Sequence, residues 1–199
     1  MLGRRRFGKW LIRTTYLPAG ELWRSRDGHV RPCVVGDGPL RRYYASRLAP
    51  EVAASVHWAG RVDWNRPRYY ASAEIFCTPC QRASFGMVLL EAMSCGRPVV
   101  ASMISGFEML LTSGREGLLV APPDEPGAFS AALGHLLDSP AEASRMGDEG
   151  RLTATTRYSW SRVAAQLEAY YLELRGERAP QPAAAACAER DQREAPAPV

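Results

Sequence analysis

No run of apolar residues in this 199-residue sequence approaches the ~20 that a bilayer-spanning helix needs. The opening Met1-Leu2-Gly3-Arg4-Arg5-Arg6 carries the charge of a leader's first region, but Lys9, Arg13 and Pro18 interrupt the apolar stretch that should follow. The expectation is a cytoplasmic chain, with any membrane association peripheral. Histidine is scarce, and His29, His57 and His135 show no ligand spacing, so no metal site is expected. The five cysteines are odd in number and lie mostly in apolar segments, which suits reduced thiols rather than a disulfide framework. Cys77-Thr78-Pro79-Cys80 closes an apolar strand instead of opening a helix, so it lacks the setting that stabilises a redox thiolate. Internal repeats are missing as well, which excludes a solenoid.

What remains describes an ordinary globular protein: 46% hydrophobic and 23% charged residues, in a chain long enough for one domain and a tail. The net charge of +4 hides an asymmetry. Residues 1–47 hold 11 Lys or Arg against 3 Asp or Glu, and the rest holds 14 against 18. A basic front end suits a phosphate-bearing ligand, nucleic acid or an anionic membrane surface. Nucleic acid is not expected, because no aromatic–basic interleaving accompanies those charges.

From Arg31 onward, short apolar runs alternate with helical patterns. Strands are expected at Pro32–Val35, Ser55–Trp58, Ile75–Cys77, Pro98–Ala101 and Gly117–Val120. Between them the periodicity predicts helices at Leu40–Leu48, Pro67–Ala73, Ser84–Ser94 and Phe107–Leu111. Strands without polar alternation, each followed by a helix, point to an α/β fold with a Rossmann-like parallel sheet and helices on both faces. Three further helices follow, from about Glu125 to Asp138, from Pro140 to about Thr153, and after Ser159 through Tyr171, a helical extension. We divide the chain into a poorly defined segment 1–30, a domain at 31–175 and a disordered tail at 176–199. In the first segment, Met1–Arg4 reads as the end of a strand and Leu11–Trp23 as a poor helix broken by Pro18 and Gly20.

The most informative stretch is Ala83-Ser84-Phe85-Gly86-Met87-Val88-Leu89-Leu90-Glu91-Ala92-Met93. A helix start leaves backbone N–H groups unpaired and partly positive, and so attracts phosphate. Seven residues separate Ser84 from Glu91, nearly two turns, so both fall on one face of the helix. A phosphate at the start would then bring an attached ribose to Glu91. The plain alternative is a buried amphipathic helix with one exposed carboxylate. Val34-Val35-Gly36-Asp37-Gly38-Pro39 has the strand and glycine turn of a dinucleotide or S-adenosylmethionine site, but Arg42 and Tyr43 stand where a close-packing residue is needed.

Taken together, five segments in order carry more. They are Val35-Gly36-Asp37-Gly38-Pro39, Trp58-Ala59-Gly60-Arg61-Val62, Ser84-Phe85-Gly86 through Met93, Gly96-Arg97-Pro98-Val99-Val100-Ala101, and Gly114-Arg115-Glu116-Gly117 through Pro123. Over about residues 31–175 the chain resembles the carboxyl-terminal, donor-binding domain of retaining family-4 glycosyltransferases of the GT-B type. It is especially similar to the actinobacterial phosphatidylinositol mannosyltransferases. The resemblance implies that a nucleotide-diphosphate sugar (GDP-mannose or a UDP-sugar) binds here as donor, without cofactor or metal. Glu91 would hold the ribose hydroxyls. Ser84 and the backbone of Phe85, Gly86, Met87 and Val88 would meet the sugar and diphosphate. Val62 and Asp63 would contact the base, whose choice depends on the loop from Gly60 to Asn65. Arg4 and Lys9 are the nearest candidates for the basic pair that neutralises the departing nucleotide.

Departures from the family pattern are equally specific. Its Glu-x7-Glu begins here at Ala83, which cannot accept a hydrogen bond from the sugar, a loss of about 1.5–3 kcal/mol. The spacing from Arg4 to Lys9 is one residue short, and Trp10 replaces a glycine. In the family a separate amino-terminal domain binds the lipid or glycan acceptor, so a truncated product deficient in catalysis alone is expected. The rival expectation is a non-catalytic interaction module, or a degenerate fragment, that pairs with a partner chain.

Overall fold

A computed structural model describes residues 8–12, 30–123 and 125–176. Six strands, β1 (Gly8–Ile12), β2 (Val30–Val35), β3 (His57–Gly60), β4 (Ile75–Thr78), β5 (Val99–Ser102) and β6 (Gly117–Val120), form one sheet. Its order is β3-β2-β1-β4-β5-β6, and every pairing is parallel. Chain direction across the sheet reverses beside β1, and that is where such folds open a crevice at the carboxyl ends of their strands.

Local chemistry explains the strands. Ile75-Phe76-Cys77-Thr78 and Val99-Val100-Ala101-Ser102 are buried at every position, because helices cover both faces. Side chains alternate across the sheet. Ile75, Cys77, Val100 and Val120 therefore pack with Phe129, Leu133 and Leu136 of α6 (Pro126–Asp138) and Met146 of α7 (Pro140–Arg157). Phe76 faces the other way and meets the ring of Tyr70 edge-on, with centroids 5.3 Å apart. Tyr70 belongs to α3 (Arg66–Ser72), which neighbours α4 (Met87–Ser94) on that face. Burial pushes the Cys77 thiol well up, so it stays protonated and fills core volume. The described cysteines Cys33, Cys77, Cys80 and Cys95 are free thiols.

Several elements depart from the sequence reading. Ser55 ends a helix, α2 (Pro50–Ser55), that the sequence analysis did not anticipate, and β3 starts only at His57. Proline at the start of α2 supplies the missing signal, and Val52 packs with Val34 and Val56 beneath it. The helix after β2 is only α1 (Arg41–Ala45), and that after β5 only α5 (Ser105–Glu108). Leu11 and Ile12, read as the start of a poor helix, lie in β1; the remainder of that helix and Met1–Arg4 fall outside the described residues. A second unit begins at Arg157. Within it, α8 (Trp160–Leu174) is capped by Ser159, whose side chain accepts from the Arg162 N–H at 3.4 Å. The tail expected beyond Gly176 lies outside the described residues. None of the described helices is long and apolar enough to cross a membrane.

Two buried polar groups fasten the β5–β6 end. The Ser102 hydroxyl donates to the Pro123 carbonyl at 2.8 Å and accepts from the Cys80 N–H at 2.8 Å. Glu116, 3% exposed, accepts from the Thr112 N–H and the Thr153 hydroxyl, each at 3.0 Å. Replacing Glu116 by Ala strands both donors in the interior, a loss of about 1–3 kcal/mol, read as a lower urea midpoint at unchanged slope.

Candidate functional site

Helix α4 does not begin where the sequence pattern suggested. Ser84, Phe85 and Gly86 precede it, and Gly86 adopts the left-handed conformation at φ 98° as its N-cap. A β-carbon on Gly86 would lie 2.8 Å from the Phe107 ring, so glycine is required there for both backbone and space. Close by, Gly106 lies so near the Ala83 carbonyl oxygen that its β-carbon would come within 2.1 Å of it. The left-handed residue breaks helical continuity after Phe85. Met87 and Val88 thus supply first-turn N–H groups that no earlier helical carbonyl can meet, whereas Leu89 already donates to Gly86 O at 2.8 Å. Glu91 stands one turn above the start of α4, not two turns above Ser84 within one helix.

The rest of α4 is core: Val88, Leu89, Leu90, Ala92 and Met93 are buried. Glu91 leaves it toward α3. Arg66 Nη1 approaches Glu91 Oε1 at 3.2 Å and Oε2 at 3.3 Å, and the Tyr70 hydroxyl donates to Oε2 at 2.7 Å. Arg66 and Tyr70 are four residues apart on α3, so one helix face presents both. About a third of the Arg66 and Glu91 side chains is exposed, which limits the ion pair to about 0–1 kcal/mol.

Arg66 and Tyr70 also line a cavity of about 340 Å³ with Val35, Gly36, Asp37, Arg61, Val62, Asp63 and Phe76. That volume is at the lower end for a small-molecule site. The cavity lies at the carboxyl ends of β2 and β3. There the Gly36 N–H donates to Gly60 O at 2.8 Å and ties the two strand ends together. Val62 and Asp63 are therefore brought into one pocket whose other wall contacts Glu91. Arg61 and Asp63 pair loosely at 3.7 Å and both are exposed.

A second cavity of about 350 Å³ is lined by Gln81, Arg82, Ala83, Ser84, Ile104 and Ser105. It contains Ser84 but no carboxylate, so nothing in its lining replaces the acid missing at Ala83. Lys9 is inside β1, in register with Arg31, rather than in a loop after the strand, and Arg4 is outside the described residues. Among the described residues no group of His, Cys, Asp and Glu could hold a metal ion.

Sequence reasoning missed Arg66 and Tyr70. Their signal was present: an Arg-x3-Tyr pair on a helix opened by Pro67, directly after the Val62-Asp63 loop.

The family model described as glycosyl transferases group 1 matches residues 14–139. The chain belongs to the group 1 glycosyl transferases. This group 1 chain is 40% identical over 136 residues to an MMP alpha-(1->4)-mannosyltransferase of Mycolicibacterium hassiacum, covering 68% of this chain and 32% of that protein. It is 36% identical over 133 residues to a D-inositol 3-phosphate glycosyltransferase of Catenulispora acidiphila, covering 65% of this chain and 31% of that one. The chain thus spans about a third of the length of the curated relatives it matches. Sucrose-phosphate synthase from Thermosynechococcus elongatus superposes with a TM-score of 0.71 at 26% identity, over 86% of this chain and 46% of that one. The Anabaena protein HepE in complex with UDP has the same fold, with a TM-score of 0.70 at 20% identity over 85% of this chain and 49% of that one.

The glycine that starts α4 in this group 1 chain gives a direct check. Gly86→Ala should destabilise the protein by about 1–3 kcal/mol, seen as a lower melting temperature, because both the left-handed backbone and the Phe107 ring oppose it.

Proposed function

We propose that this chain is the donor-binding part of a retaining hexosyltransferase that takes a hexose from a nucleotide-diphosphate sugar. On this reading the donor is GDP-mannose or a UDP-sugar. The acceptor is a lipid or glycan held by a second domain, and the work is done in the cytoplasm with at most peripheral membrane contact. One observation carries the reading: a carboxylate, Glu91, stands one turn above a helix start and is joined through Arg66 and Tyr70 to a cavity at the sheet's carboxyl edge. The mannosyltransferase and inositol-phosphate glycosyltransferase relatives, and the neighbour solved with UDP, lend support.

Each part has a chemical task. The base occupies the pocket of Val62 and Asp63, and its ribose reaches Glu91. The diphosphate lies toward Met87 and Val88, whose N–H groups and helix dipole stabilise the charge that grows on it as the glycosidic bond breaks. Ser84, Phe85 and Gly86 border the sugar, and Arg4 and Lys9 are proposed to add positive charge at the diphosphate. With Ala83 in place of an acid, one sugar hydroxyl loses a charged acceptor. That favours weak sugar discrimination in this chain by itself.

Titration calorimetry with GDP, UDP and their sugars tests the proposal. Binding of at least one is expected, and Glu91→Ala should weaken it by about 1.5–3 kcal/mol. Failure of every nucleotide to bind at millimolar concentration rejects the reading, and an unchanged affinity removes Glu91 from the site.

A second reading, a module that pairs with another chain, has its own observation. Trp160, Leu167, Tyr170, Tyr171 and Leu174 of α8 are all more than half exposed. Light scattering decides it: a clean monomer at high concentration counts against self-pairing.

A further inference from the structure

The Glu91 carboxylate is crowded. A carboxylate offers about four lone-pair sites. Arg66 Nη1 bridges both oxygens, at 3.2 and 3.3 Å, and the Tyr70 hydroxyl takes a further site on Oε2 at 2.7 Å. One acceptor site is left. A ribose offers two adjacent hydroxyls, each with a proton to donate, so it cannot give both while the present partners stay. One partner has to leave.

The structure distinguishes the two. Tyr70 is 3% exposed, its ring is wedged edge-on against Phe76, and its bond to Glu91 is short. Its departure would open the core. Arg66 is one-third exposed, its contacts are long, and it already borders the open cavity beside Asp63 and Arg61. Its guanidinium therefore has solvent and an open cavity beside it to move into when it leaves the carboxylate.

We propose that Arg66 is a resident counter-ion that the donor's ribose diol displaces from Glu91, while Tyr70 stays as the residue that positions the carboxylate. The inference rests on the reading of Glu91 as the ribose acceptor. It adds a selectivity rule. A ribonucleotide, with two hydroxyls, has to eject Arg66 and compete with an ion pair. A 2′-deoxynucleotide, with one hydroxyl, uses the single remaining acceptor site and leaves Arg66 where it is. Removing the arginine side chain's charge therefore helps the first ligand and not the second.

Calorimetry on the full chain, with GDP, UDP and their 2′-deoxy forms as probes, tests the displacement on Arg66→Met and Tyr70→Phe. Thermal melts of both variants establish that they are folded. Arg66→Met should tighten the ribonucleoside diphosphates by about two- to fivefold, the release of one part-exposed ion pair, and leave the 2′-deoxy forms unchanged. Tyr70→Phe also frees a site but releases the carboxylate from the bond that orients it, so it should weaken the ribonucleotides; a gain like that of Arg66→Met overturns the positioning role of Tyr70. The displacement is overturned if Arg66→Met weakens or does not alter ribonucleotide binding, or improves the deoxy forms equally. If the parent chain binds GDP or UDP and Glu91→Gln weakens it while Arg66→Met gives no gain, only the displacement fails. If no variant binds any probe at millimolar concentration, the nucleotide reading fails and the displacement with it.

Discussion

The site depends on one backbone constraint, the left-handed turn at Gly86 against the Phe107 ring. It stops the loop after β4 from running on into helix and fixes the first turn of α4 at Met87. From that start, helical geometry alone brings Glu91 out beside α3 after four residues. Gly106 permits the companion contact, since only a residue without a side chain can lie so close to the Ala83 carbonyl. The loop 83–86 and the short helix α5 therefore hold one another in place. The first-turn amides of Met87 and Val88 and the Glu91 carboxylate thus belong to one short helix whose start that contact fixes.

Around that helix the sheet does the placing. With β1 between β2 and β4, the chain reverses its progress across the sheet beside its central strand, and loops on the two sides diverge. The cavity with Val62 and Asp63 belongs to the β2–β3 side, and α4 follows β4 on the other. Arg66 and Tyr70 are the bridge between the two halves, because α3 returns from the β3 loop to pack beside α4.

Much of this could be read from the residues, and the failures have physical causes. Ile75–Cys77 was legible as a strand because a run buried on both faces needs no polar alternation, and Gly117–Val120 because it is a short apolar run, although as the edge strand its middle residues are only half-buried. The helices from Pro126 and Pro140 were legible from proline starts and apolar spacing. The start of α4 was misplaced because Ser84-Phe85-Gly86 fits helical periodicity equally well, and neither the left-handed φ of Gly86 nor the Phe107 ring packed where its side chain would be, 21 positions away in sequence, leaves a local pattern. Helix α2 escaped notice because its six residues bury a single side chain, Val52. Glu91 stood out as a lone acid on an apolar helix. Its partners did not: the Arg-x3-Tyr spacing marks one face of α3, but the link from Arg66 to Glu91 joins residues 25 apart, and no local spacing tells which acid that face meets.

The Ser102 hydroxyl clasps the loop after β4 through Cys80 and the loop after β6 through Pro123. Those two connections cannot shift separately without leaving a buried hydroxyl or amide unmet. On the other side of the cleft Arg61, Asp63 and Trp64 extend into solvent from the β3 loop, and the bond from the Gly36 N–H to Gly60 O joins the strand ends beneath them. The two walls are thus fastened by different means, one through a buried side-chain hydroxyl and the other through a backbone bond between strand ends.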